Sequence, residues 1–323
     1  FPTRLIINAA AGGPESIAGT ASTEINSGQA MAYNNMGVPG AKSFHLLTPG
    51  YGNLAGVALG QANPYFVRFA SAPSTTVLAD AVAQNPTFFS LWIGNNDVLS
   101  YATSGGTGVN QTGNLNPATY GGNDITNAGV FANAYSTIIS TLTSGGAKGV
   151  VATVPSVTSI PYFTTVPYNP LSPAALGGQA NIDALNAALY GPLDAVFTTF
   201  GEPNRVNPLS GTSANPILIW DVDAIDRTAE ITGGLMLQGV PAPVAAEIGA
   251  AFGKARQATA NDLVILPASG VIGTPNANAS ATLVALGANL NGVSYPMPNR
   301  WVLTSNERAK VEAAKKANKN AII

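Results

Sequence analysis

Two short apolar runs with one amphipathic helix between them constrain this chain most. The first, Thr87 to Gly94 (TFFSLWIG), is continuous, aromatic and β-branched, and it stops at a glycine. It reads as a fully buried strand. The helix follows a Gly/Asn/Thr-rich loop over 103–127 and places Phe131, Tyr135, Ile138 and Leu142 on one face before Gly145-Gly146 stops it. The second run, Lys148 to Pro155 (KGVVATVP), reads as another buried strand. A strand, a helix and a strand joined by a short turn imply a right-handed βαβ crossover, hence a parallel sheet with covered faces.

Elsewhere the pattern is weaker. Arg4–Asn8 (RLIIN) is strand-like, Tyr65–Ala70 (YFVRFA) alternates like a strand or forms a short apolar edge, and Val77–Gln84 is a short helix candidate ending before Asn85-Pro86. A helical stripe of Ile182, Leu185, Leu189, Leu193, Val196 and Phe200 is interrupted at Gly191-Pro192, where a kink or restart is expected. Pro216–Asp223 is strand-like, Val244–Ala255 helical, and Thr304-x-x-Glu307 is a capping box that opens a last helix. The five basic residues Arg308, Lys310, Lys315, Lys316 and Lys319 read as its solvated face. No internal repeat is evident.

Charge excludes several functions. Only 9% of residues are charged, and 14 Lys plus Arg stand against 16 Asp plus Glu, so there is no basic face for nucleic acid. There is no cysteine and one histidine, His45, which excludes disulfides and both thiolate and multi-histidine metal sites. No apolar run approaches the roughly 18 residues of a membrane span. The chain starts at Phe1 with no visible signal peptide, and it reads as the interior of a longer protein.

Two stretches carry candidate chemistry. Gly94-Asn95-Asn96-Asp97 lies just beyond the carboxyl end of the first strand, where ligands gather in open parallel sheets. The Asn96 side chain there can donate to an oxygen that develops negative charge, with Asp97 capping the next helix or orienting Asn96. A plain turn explains the same four residues, since Asn, Asp and Gly favour turns. Gly121-Gly122-Asn123-Asp124 repeats the pattern after a polar loop, with no strand to hold it rigid. The second stretch, Asn34–Ser43 (NNMGVPGAKS), holds a glycine turn that brings a backbone N–H near a ligand, or is a structural turn. His45 reads as a packing histidine.

Together these motifs, Asn-x-Gly-x-x-Gly and a buried strand ending Gly-x-Asn-Asp, resemble the SGNH hydrolases, the GDSL-type esterases and lipases. Further stretches (NNMGVPGAKSFHLLTPGYGN, YFVRFAS, GAKGVVATVPSVTSIPYFTTVPYNP, ATANDLVILPAS and RWVLTSNE) resemble the surface-exposed or lipid-anchored branch of Gram-negative bacteria. The resemblance implies a flavodoxin-like three-layer α/β/α fold over 1–323, a single domain with insertions at about 103–127 and 160–300. It implies that Gly37 (backbone N–H) and Asn96 (side chain) form an oxyanion hole, with Asp97 supporting.

The family's first block, Gly-Asp-Ser-Leu or Gly-Asn-Ser-Leu, and its last, Asp-x-x-His, are both missing here. The expectation is a serine esterase or lipase whose nucleophile and base lie outside these residues. Its substrate would be a lipid or acylated-glycan ester. No metal or cofactor is implied, and the place would be extracytoplasmic, secreted or on an outer membrane. The alternative is a non-catalytic surface or binding subunit on the same scaffold, with outer-membrane protein partners.

Overall fold

The computed structural model describes residues 5–8, 13–20, 24–25 and 33–323. Leu5–Asn8 (β1) pairs antiparallel with Gly13–Ser16 (β2), and Arg4 lies outside the described residues. Three short helices follow: Leu54–Val57 (α1), Pro64–Val67 (α2) and Val77–Ala83 (α3). The strand expected over 65–70 is therefore a helical turn. Asn63 accepts from the Tyr65 N–H and Pro64 occupies the first turn, a start signal that outweighs the alternating pattern.

The crossover forms as its spacing implies. Phe88–Leu91 (β3) is followed by Asn96–Thr103 (α4) and Ala128–Thr143 (α5), and then Lys148–Val151 (β4) pairs parallel with β3, Phe88 opposite Lys148. The fold is thus a mixed helix and strand architecture containing a parallel pair. Phe131, Tyr135, Ile138 and Leu142 are buried on one face of α5.

The strands themselves are not buried. Phe88 and Trp92 are 61% and 65% exposed, and every residue of β4 is exposed. The reason is architectural. Among the described residues β3 and β4 have only each other, whereas parallel sheets are normally covered on both faces.

Beyond β4 the chain builds a second body from Pro161–Thr164 (α6), Gln179–Leu185 (α7), Gly191–Thr199 (α8), Leu218–Trp220 (β5), Thr228–Leu237 (α9), Ala242–Phe252 (α10), Ala255–Gln257 (β6), Leu263–Val264 (β7), Ala281–Ala285 (α11) and Val302–Leu303 (β8). β5 pairs antiparallel with β6, and β7 with β8. The interruption at Gly191-Pro192 is a single π-helical turn, in which the Gly191 N–H reaches back to the Asn186 carbonyl. Far from being loop insertion, residues 160–300 supply most of the largest hydrophobic core, with Tyr190, Phe197, Ile217, Leu218, Ile219 and Phe252 fully buried.

Ser305–Ile322 (α12) starts with the anticipated capping box of Thr304 and Glu307 and packs on α4 and α5. Its basic residues are not wholly solvated, since Lys310 and Lys315 pair with Asp223 and Glu312.

Candidate functional site

The glycine turn is built by its own residues. Val38-Pro39-Gly40-Ala41 closes with an Ala41 N–H to Val38 carbonyl bond of 3.2 Å, and Gly40 has φ +78°. Proline at the second position and a left-handed glycine at the third define a type II turn. Asn63 secures it from outside, its side chain donating to the Pro39 carbonyl and to the Tyr51 hydroxyl. A 3₁₀ turn over Ser43–Leu47 follows.

At the end of β3, Gly94 has φ +116°, and a Cβ there would stand 2.8 Å from Val154 Cγ2 and 2.9 Å from Phe131 Cε2. Only glycine lets the strand turn so close to α5. Asn96 then begins α4.

The two stretches meet. Asn96 Nδ2 donates to the Ala41 carbonyl at 2.9 Å. Ser43 donates twice to the Asp97 carboxylate, from its N–H to Oδ2 at 2.9 Å and from Oγ to Oδ1 at 2.8 Å. Asp97 neither caps α4 nor contacts Asn96 by a hydrogen bond; it is the fully buried clamp between turn and strand. Burial pushes its carboxyl above the usual range, against the bonds from Ser43 and the nearby Lys42 charge, which pull the other way. Its own carbonyl accepts from the Thr126 N–H at 3.0 Å, which joins the 103–127 loop to the same corner.

That loop is better fixed than its sequence implies. The Asp124 carboxylate accepts from the Val109 and Gly121 N–H groups and from the Gln111 amide, at 2.8, 2.7 and 2.6 Å. The second Gly-x-Asn-Asp, over 121–124, is therefore rigid after all, held by its own aspartate. Lys42 reaches across to it, donating Nζ to the Asp124 carbonyl at 2.8 Å, and burial lowers the lysine pKa. His45 packs as expected: Nδ1 accepts from the Lys42 N–H at 3.0 Å and the ring stacks on Tyr51. Burial, helped by the Lys42 charge, lowers its pKa to about 4.

An open cleft of about 970 Å³ runs along β3, with Gly37, Asn95 and Asn96 at one end and Phe88, Val77 and Leu142 among its apolar walls. No charged side chain lines it. The Thr87 and Leu91 carbonyls accept from the Lys148 and Ala152 N–H groups of β4's side, at 3.0 and 2.9 Å. By alternation, Phe88, Ser90 and Trp92 turn their backbone groups the other way, to an edge that no described strand covers.

The structure thus brings Gly37 and Asn96 to one cleft. One Asn96 amide hydrogen is spent on Ala41 and the other is left over. The Gly37 N–H rests on Asn35 Oδ1 at 3.0 Å in an exposed position, so an incoming oxygen can replace that contact. Ser43 and Lys42 were given no role in the sequence reading, and Asp124 was seen only as part of a repeat of the motif with nothing to hold it. With charges so scarce, a lysine beside the glycine turn and an aspartate in a polar loop were the available signal.

Among the described residues, no group of His, Asp or Glu is placed to hold a metal ion, and no serine hydrogen-bonds His45. No protein-family model, curated protein or solved structure matches this chain.

Proposed function

We propose that these residues are the oxyanion-holding part of an SGNH-type serine esterase with a three-layer α/β/α fold, whose nucleophile and base lie outside them. The observation that supports this most is the clamp: Ser43 on Asp97, and Asn96 on Ala41, lock the glycine turn to the strand end beside an open cleft. In that reading a serine hydroxyl attacks the ester carbonyl and passes its proton to the base. The carbonyl oxygen, now negative, takes hydrogen bonds from Gly37 N–H and the free Asn96 amide hydrogen. The alcohol leaves with a proton from the base, and water then releases the acid from the acyl-enzyme.

The exposed edge of β3 supports the same reading. An uncharged, apolar strand laid parallel to β3 would pair with Phe88, Ser90 and Trp92 and fill the cleft. Its carboxyl end would emerge beside Gly37 and Asn96, where a nucleophile is needed. Asp97 and Ser43 then act as positioning residues. The substrate would be a lipid or acylated-glycan ester, met outside the cytoplasm at an outer-membrane surface or after secretion. Among the described residues no helix is long and apolar enough to cross a membrane.

A second reading is favoured by the isolation of His45: a non-catalytic binding subunit, without a serine–base pair, in an outer-membrane assembly. Labelling the protein from its native source with a fluorophosphonate and mapping the labelled peptide separates the two. A labelled serine in a Gly-Asn-Ser-Leu or Gly-Asp-Ser-Leu context, with hydrolysis of p-nitrophenyl butyrate lowered about 100-fold or more by Asn96→Ala, is the expected result. An unlabelled protein, with a mass equal to these residues alone, establishes the binding subunit.

A further inference from the structure

A second cleft, about 310 Å³, is lined by none of the residues that line the first. Trp220, at the end of β5, and Tyr295 and Pro298, on the segment before β8, give it flat apolar walls. Asn276, Asn278 and Asn299 give it amides. No charged side chain lines it.

The walls are held firmly. The Trp220 N–H donates to the Met297 carbonyl at 2.9 Å. Asn276 Nδ2 donates to Asn291 Oδ1 at 2.7 Å, while its own Oδ1 accepts from the Asn278 N–H at 2.8 Å. Asn299 Nδ2 donates to Glu307 Oε1 at 2.8 Å and to the Gly105 carbonyl at 3.1 Å.

Three polar groups here are left over. The Asn278 side-chain amide, the Tyr295 hydroxyl and the Trp220 indole N–H have no partner in the protein and belong to residues open to solvent. The Asn299 carboxamide is not one of them, since its Oδ1 is shut off from solvent and its Nδ2 is engaged twice. Unspent donors and acceptors beside aromatic faces in a concavity leave hydrogen bonds for a ligand to make.

The chemistry of that ligand follows. It must offer flat C–H surface to Trp220 and Tyr295 and hydroxyls to the Asn278 amide, the Tyr295 hydroxyl and the Trp220 indole N–H. It must also be neutral. An ion would lose its hydration without a countercharge, and the Glu307 carboxylate behind Asn299 repels an anion in particular. A volume near the lower end of small-molecule sites, about 300 Å³, suits one pyranose ring.

We propose that this cleft binds a neutral sugar unit, held between Trp220 and Tyr295 and hydrogen-bonded by Asn278 and the Tyr295 hydroxyl. The site stands independently of the esterase reading, because it uses no residue of the oxyanion corner.

The test is an NMR titration of the whole chain, watching the Trp220 indole N–H, assigned by its loss in Trp220→Phe. The probes are the methyl glycosides of glucose, galactose, mannose and N-acetylglucosamine, with methyl glucuronide as the charged control. At least one neutral glycoside should shift the resonance saturably. Asn278→Ala, an exposed substitution that leaves the fold intact, and Tyr295→Phe should each weaken that glycoside about fivefold, the loss of one hydrogen bond. No saturable shift with any neutral glycoside overturns the proposal. So does methyl glucuronide binding as tightly as the glucoside, or affinity unchanged in both variants.

Discussion

Among the described residues the pairs β3–β4 and β5–β6 are both only two strands wide, yet they live in opposite surroundings. Leu218 and Ile219 of β5 are fully buried, and Ile219 is flanked by Arg256 on one side and bridged to Met297 on the other. The chain closes this pair with its own segments. β3–β4 is backed by α5 but leaves Phe88, Trp92, Val150 and Val151 in solvent and one edge of β3 unpaired. An exposed apolar strand edge is a template for another strand, and proteins seldom leave one uncovered without a use for it. The difference separates a closed pair from an open edge beside the corner where Gly37 and Asn96 meet.

Substitutions should break the comparison unequally. The largest loss is expected for Arg256→Ala. Arg256 bonds Asp221 at 2.6 Å and Asp262 through both terminal nitrogens at 2.7 Å. Burial works against its charge, but the bonds and charges of Asp262 and Asp221 outweigh it and hold its pKa up. Removing it strands the buried Asp262 carboxylate, at a cost of about 3–5 kcal/mol, read by urea denaturation. Lys310→Ala, which breaks an exposed pair with Asp223, should cost about 0–1 kcal/mol.

Ile219→Ala should lose about 2–5 kcal/mol, as a cavity in a closed core. Val150→Ala in exposed β4 should stay within about 0.5 kcal/mol. Equal losses at the two positions would show that β3–β4 is as enclosed as β5–β6.

The clamp at Asp97 gives a pH signature. Its folded pKa is raised by burial, so the folded state holds the proton more tightly than the unfolded chain. Its stabilising contribution is therefore full below the usual carboxylate pKa and is lost as pH rises through the raised one. The stability of the wild type minus that of Asp97→Asn should fall over that window, measured by denaturation from pH 3 upward. A rise over the same window would contradict the buried-carboxyl account.

The smallest effect belongs to His45. As the only histidine it can be followed alone by NMR, and its ring should titrate near pH 4. A depressed histidine stabilises the fold fully above about 6.5 and loses that contribution as pH falls toward 4. A midpoint near 6.5 would place the ring in water rather than against Tyr51.

Local order was legible where one signal dominated. The parallel crossover, the α5 stripe, an interruption near Pro192 and the α12 capping box each rest on spacing or on a residue with a fixed conformational demand, though the π-helical form of that interruption was not legible. Gly94 was legible as a stop, and its reason, the approach to Phe131 and Val154, needed three dimensions. Burial was not legible. Apolar content suggested that Phe88 and Val150 were covered, but coverage depends on which layers pack over a strand, and sequence pattern is silent on that. Tyr65–Ala70 failed because alternation over six residues is a weaker constraint than Asn63-Pro64 at a helix start. Gly37, Asn96 and Asp97, which come together at one corner of the structure, were singled out from motif, whereas the partnership of Ser43 with Asp97 spans 54 positions and has no local signature.

Amide hydrogen exchange of the chain alone tests the open edge most directly. The N–H groups of Phe88, Ser90 and Trp92 should exchange rapidly, while those of Leu218 and Trp220, bonded to the Gly292 and Met297 carbonyls, should be protected about as long as the whole fold. Protection at Ser90 equal to that at Trp220 would mean that β3 is already paired, and that no strand is awaited beside Gly37 and Asn96.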